Sequence, residues 1–300
     1  MWANRCQRPL IGIFAICLVF FFIGSAKAQD GKKRAVFVSI APQKYFVHQI
    51  GREQVDVQVM VPPGASPVTY EPKPRQMTAL SKTPVYFAIG VPFEKKWLKK
   101  IAAANPEMRV VHTDQGIKKI PISAHRLEAE HPAGKNHHGQ LDPHIWLSPK
   151  LVMIQARSIR DALREIDPAH GSVYDANYEA FASALTALDV ELRNMFADKQ
   201  GFQFMVFHPS WGYFAHSYGL KQVAVEIEGK DPKPAQLKAL IAHAREKGIK
   251  IVFVQPQFSS KSARLVAKEI GGRVVVADPL AQDWLRNLRK VVREFKGALQ

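Results

Sequence analysis

Short apolar, β-branched runs recur along the chain, at 35–40, 55–61, 85–89 and 108–112. Between them, 42–50, 73–80 and 93–104 carry apolar residues at helical spacing. The last of these puts Phe93, Trp97, Leu98 and Ile101 on one face, and Gly51 stops the first. Strand–helix alternation of this kind predicts an α/β unit with a mostly parallel sheet. A second series starts at residue 203, with strands at 203–207, 223–227, 249–254 and 273–277 and helices at 235–246, 260–270 and 283–295. The expected fold class is therefore α/β: two lobes of parallel sheet flanked by helices, an N-terminal one over 29–171 and a C-terminal one over 199–300.

The joint between the two series has a different period. From Ser172 to Asp198, apolar residues fall at Tyr174, Tyr178, Phe181, Leu185, Leu188, Leu192 and Met195, alternating steps of four and three. That spacing draws one stripe on a helix. No Gly or Pro interrupts it, and Ser172 followed by Asp175 makes an N-cap pair. At about 1.5 Å per residue the helix would reach about 40 Å. The segment is expected to join the lobes as one long rigid helix; the competing reading is an ordinary packed helix inside one domain.

The N-terminus changes what the composition means. Arg5 and Arg8 precede an apolar run over 10–23, and Ala26-Lys27-Ala28 supplies small residues where a signal peptidase reads. The run of roughly 14 residues falls short of the roughly 20 that span a bilayer. Residues 1–28 are therefore expected to be a cleaved secretory signal peptide, and the mature protein to be soluble in the periplasm. Both cysteines, Cys6 and Cys17, leave with it, so no disulfide scaffold is possible. Loss of Arg5, Arg8 and Lys27 lowers the formal charge from +16 to +13. The basic residues are scattered along helix faces, such as Lys95, Lys96, Lys99 and Lys100. No aromatic-interleaved basic stripe accompanies them, so no nucleic-acid partner is expected, and a basic adhesin draws only on the net charge.

Ligating side chains are expected at strand ends, beside turn residues, in three places. These are Asp142-Pro143-His144, Phe207-His208-Pro209 and Ala277-Asp278-Pro279, the last two each following a strand. Ligands of open α/β sheets bind at the carboxyl ends of strands. Two neutral imidazoles and a carboxylate suit a borderline divalent cation such as Zn²⁺. Four of the eleven histidines, His125, His131, His137 and His138, crowd a polar stretch over 125–140 that reads as a loop of metal-affine composition or a solvated linker.

The segments PPGASPVTYEP (62–72), DPHIWLSP (142–149), FHPSWGYFAHSYGL (207–220), DPKPAQL (231–237) and ADPL (277–280) follow one another in an order that resembles the periplasmic zinc- and manganese-binding proteins of ABC importers. The resemblance spans residues 33–300. It implies a metal held in the cleft between two lobes and handed to a membrane ABC permease, by a protein expected to be a monomer. Carried over position by position, the ligands would be His144, His208 and Asp278. Histidine at 208, where manganese-binding members tend to carry Glu, favours Zn²⁺ over Mn²⁺. The family's first ligand is a His in a Pro-His-x-Tyr-Glu-Pro motif, and Val68 stands in its place. Valine has no donor atom. Water filling the fourth position, substitution by Glu71, His137 or His138, and a diverged member with weakened or lost capture are the three readings of that gap. Gln255 is a second departure, where the family usually has Glu; one fewer carboxylate near the cleft would attract a cation less.

An open position on zinc also raises hydrolysis as an alternative, because bound water can become a nucleophile. No HExxH or comparable arrangement accompanies it, and Glu71 is the only nearby candidate base. The chain is expected not to be an enzyme.

Overall fold

The computed structural model describes residues 2, 33–122, 141–227 and 229–298. The expected signal peptide, apart from residue 2, and the whole of the histidine-rich stretch, including His125, His131, His137 and His138, lie outside the described residues. No helix among those described is long and apolar enough to cross a membrane.

Both lobes form as the alternation predicts. In the first, β1 (Arg34–Val38), β2 (Val55–Val59), β3 (Val85–Ala88) and β4 (Arg109–His112) alternate with α1 (Ala41–Gly51), α2 (Pro74–Leu80) and α3 (Pro92–Ala104). All four strands are parallel and lie in the order β2-β1-β3-β4, with Val36 opposite both Val57 and Val85. In the second, β5 (Gln203–Val206), β6 (Lys221–Ala224), β7 (Ile251–Val254) and β8 (Arg273–Val276) repeat the pattern as β6-β5-β7-β8, again parallel. Helices α6 (Gly212–Ser217), α7 (Pro234–Glu246), α8 (Lys261–Glu269) and α9 (Trp284–Ala298) accompany this sheet. In each sheet the chain turns outward in both directions from its first strand, so the crevice at the strands' carboxyl ends opens beside β1 and β3, and beside β5 and β7.

The joining helix, α5, runs Gly171–Met195, three residues short of the expected end. Its stripe of Tyr174, Tyr178, Phe181, Leu185, Leu188 and Leu192 is buried throughout, at about 1.5–3 kcal/mol for each side chain. It is no bare rod. A helix that the strand–helix reading passed over, α4 (Pro149–Ile166), packs along it, and α1 lies against both.

One continuous core then runs from the first sheet through α1, α4 and α5 into the second lobe. The C-terminal helix α9 ties its ends. Trp284 packs edge-on to Phe46 of α1 with ring centroids 5.3 Å apart, while Phe295 meets Phe204 of β5 at 4.5 Å. A separate cluster, including Val252, Leu240 and Val266, fills the face of the second sheet under α7 and α8.

Candidate metal centre

His208 stands two residues beyond β5 and is only 9% exposed. Because β6 is β5's neighbour, the chain leaving β6 brings Glu226 alongside, and the His208 Nδ1 lies 2.8 Å from Glu226 Oε1. A carboxylate accepts from Nδ1–H and so leaves Nε2 with its lone pair for a metal. Burial holds the His208 pKa below the ordinary imidazole value; Glu226 opposes that shift and the nearby His144 reinforces it.

The turn after β7 completes the setting. Gln255 accepts the His208 backbone N–H at 3.0 Å and returns its own amide N–H to the His208 carbonyl at 2.9 Å and to Ser210 Oγ at 3.3 Å. Phe258 lies flat against the imidazole, with centroids 4.4 Å apart and planes 22° from parallel. Gln255 is thus a two-way clamp on the His208 backbone, a use that only an amide can serve with both its oxygen and its nitrogen.

His144 stands on a turn that leads into α4 rather than at a strand end. Asp142 Oδ1 accepts its backbone N–H at 2.8 Å and lies 2.7 Å from its Nδ1, so this imidazole too has its Nδ1 engaged by a carboxylate. The Asp142 carbonyl accepts from Tyr213 Oη, 3.0 Å away on α6. The two imidazoles meet edge to face, with centroids 5.2 Å apart and planes 75° apart.

Asp278, two residues past β8, is half-buried. Its Oδ1 accepts from Gln257 Nε2 and from the Leu280 backbone N–H, each at 2.9 Å. Its carbonyl accepts from Asn287 Nδ2 at 2.7 Å. This turn is stapled to the His144 turn: Trp146 Nε1 donates to the Pro279 carbonyl at 2.7 Å, and Trp284 Nε1 donates to the Trp146 carbonyl at 2.8 Å. The two histidines are brought together, but among the described residues no three His, Cys, Asp or Glu side chains converge closely enough to hold one metal ion.

Val68 lies on the loop between β2 and α2, 50% exposed. That loop is held by the Phe93 N–H on the Pro67 carbonyl at 3.0 Å and by Tyr70 against Phe93. Glu71 is exposed and paired with Lys96 at 2.5 Å, and that hydrogen bond holds its carboxyl below the usual carboxylate range. The structure therefore gives Glu71 a lysine partner and does not bring it to the histidines.

Four residues of this centre escaped the sequence reading in their role: Glu226, Gln255, Gln257 and Phe258. Their one legible signal is position, since all lie just beyond the carboxyl ends of β6 and β7.

A family model described as the zinc-uptake complex component A, periplasmic, matches residues 36–298. The chain belongs to this family. Its relatives include the high-affinity zinc uptake system protein ZnuA of Bacillus subtilis (strain 168), 28% identical over 282 residues that cover 90% of this chain and 88% of the relative. A putative metal-binding protein of Treponema pallidum (strain Nichols) is 30% identical over 282 residues, with the same shares of both chains. The iron-binding protein YfeA of Yersinia pestis is 28% identical over 261 residues, 85% of this chain and 80% of that one. A crystal structure of ZnuA superposes with a TM-score of 0.81 at 42% identity over 90% of this chain and 100% of that chain. A zinc-bound deletion mutant of ZnuA gives 0.80 at the same identity, over 90% and 99%. The family is a metal-binding component of transport and not an enzyme, which removes the hydrolase alternative.

Proposed function

We propose that this chain is an exported solute-binding protein that captures Zn²⁺ as cargo between its lobes and delivers it to a membrane ABC permease. The division is the one expected from the sequence: residues 1–28 a signal peptide, lobes over 29–171 and 199–300, a joining helix over 172–198, and a mature monomer in the periplasm. The observation that carries the reading is the meeting of His144 and His208, each with its Nδ1 on a carboxylate. Two imidazole nitrogens oriented in this way suit zinc better than manganese, which prefers oxygen donors.

Asp278 would supply the third donor, closing on the pair when the cation arrives. Val68 offers nothing and Glu71 is committed to Lys96, which favours water over Glu71 at the fourth position, with weaker binding than a four-ligand site; His137 and His138 lie outside the described residues.

Calorimetric titration of the metal-free mature protein with Zn²⁺ at neutral pH tests this, with saturable 1:1 binding expected. Its absence would overturn the proposal and favour a diverged member that has lost capture.

A further inference from the structure

We infer that Gln257 decides which oxygen of Asp278 a metal meets, and thereby tilts the site toward four-coordinate zinc over higher-coordinate manganese. The inference rests on the metal-capture reading above and deepens it.

Three observations support it. First, Asp278 Oδ1 already accepts two hydrogen bonds, from Gln257 Nε2 and from the Leu280 N–H, each at 2.9 Å. A carboxylate oxygen has two lone pairs, so Oδ1 is spent and Oδ2 is the atom left for a cation. Second, Gln257 Oε1 is buried with no hydrogen-bond partner among the described residues. A buried amide oxygen without a partner is costly, and among the described residues the only hydrogen bond of the Gln257 side chain is the one to Asp278. Third, Gln257 sits in the same turn as Gln255 and Phe258, which grip the backbone and ring of His208. One short turn at the end of β7 therefore sets both donors of the second lobe.

The consequence is a matter of ligand count. A carboxylate free at both oxygens can chelate, which suits larger ions of six or more ligands. Held at Oδ1, Asp278 contributes one oxygen, and with His144, His208 and one water the count is four, the tetrahedral preference of zinc. Gln257 touches no metal in this scheme; it is a positioning residue acting through Asp278.

The test uses full-length mature protein with Zn²⁺, Mn²⁺ and Co²⁺ salts as probes. Cobalt reports coordination number directly, because four-coordinate Co²⁺ absorbs visible light far more strongly than six-coordinate Co²⁺. Wild-type protein loaded with Co²⁺ should show the intense four-coordinate band. A weak six-coordinate spectrum would overturn the inference while leaving capture intact, whereas failure of the wild type to bind any of the three metals would overturn the capture reading itself. Gln257→Met removes the amide donor at similar length. It should lower zinc affinity by about 10–100-fold, the usual effect of deleting a partner of a metal ligand. Manganese affinity should hold or rise, so that the zinc-to-manganese ratio falls at least about tenfold, and the cobalt band should weaken. An unchanged ratio and spectrum, or equal losses for both metals, would overturn the inference. A six-coordinate wild-type spectrum would overturn the inference even if the variant does not fold.

Discussion

His144 and His208 face each other edge to face with ring centroids 5.2 Å apart, and each has its Nδ1 within 2.8 Å of a carboxylate oxygen on its own side of the pair. The carboxylates thereby set both tautomers and raise the basicity of both Nε2 atoms. Glu226→Gln keeps an oxygen that can accept from Nδ1–H but removes the charge behind it. Zinc affinity should fall by about 10–100-fold with the fold retained. Competition against a chromophoric chelator, alongside circular dichroism, measures both.

The pH response of the metal-free protein follows from the burial of His208, which lowers its pKa from the ordinary 6.5. Below about 6.5 the unfolded chain protonates this imidazole while the folded chain resists, so the unfolded state binds more protons and stability drops as pH falls. The contribution is complete above about 6.5 and is lost toward the lower folded value. Thermal melts between pH 7.5 and 5 should show this decline, shallower in His208→Gln. A steeper decline in the variant would contradict the assignment.

Much of the architecture is legible in periodicity, and the failures have physical causes. The short all-apolar strands and the α5 stripe announce themselves because burial on both faces, or along one stripe, leaves no room for polar residues. α4 passes unnoticed because its buried positions Val152, Ala156, Ile159 and Leu163 are interleaved with charges and three of the four are small or β-branched. His208 is readable at a strand end, but Glu226 is not readable as its partner. That pairing depends on β6 lying beside β5, which the order β6-β5-β7-β8 determines and no local pattern encodes. Asp278 shows the reverse limit: its type and place suit a ligand, while its hydrogen bonds to Gln257 and Leu280 emerge only in three dimensions.

Val68 gives a direct test of the missing donor. Its side chain is half exposed and no part of the buried core, so Val68→His should change stability by no more than about 0.5 kcal/mol. If the loop carries position 68 to the metal as the family motif implies, a third imidazole replaces water and zinc affinity should rise at least about tenfold, or about 1.4 kcal/mol. Paired denaturation and zinc titration separate the two effects. Unchanged affinity would mean that position 68 does not reach the cation.

Gln255 was expected to matter as a lost charge, and the structure gives it a different task. It is 1% exposed, and its amide both accepts from and donates to the backbone of His208. Gln255→Glu would restore a carboxylate of the same shape but set a negative oxygen against the His208 carbonyl, now 2.9 Å from Nε2, and would remove the N–H that Ser210 Oγ accepts. The His208 carbonyl keeps the Ser210 N–H at 2.8 Å, so the cost is that of one lost donor and of a buried negative charge facing an acceptor, about 1–3 kcal/mol, and urea denaturation at pH 7 should register a loss of that size. Protonation would return an O–H donor to the position, so the raised pKa of the introduced acid makes the penalty largest at high pH and smaller as pH falls below that pKa. The difference in stability between Gln255→Glu and wild type should therefore shrink on going from pH 7 to pH 5. If the variant is as stable as wild type at pH 7, or gains zinc affinity there with no loss of stability, Gln255 is not a clamp on His208 and the lost-charge account of this position stands instead.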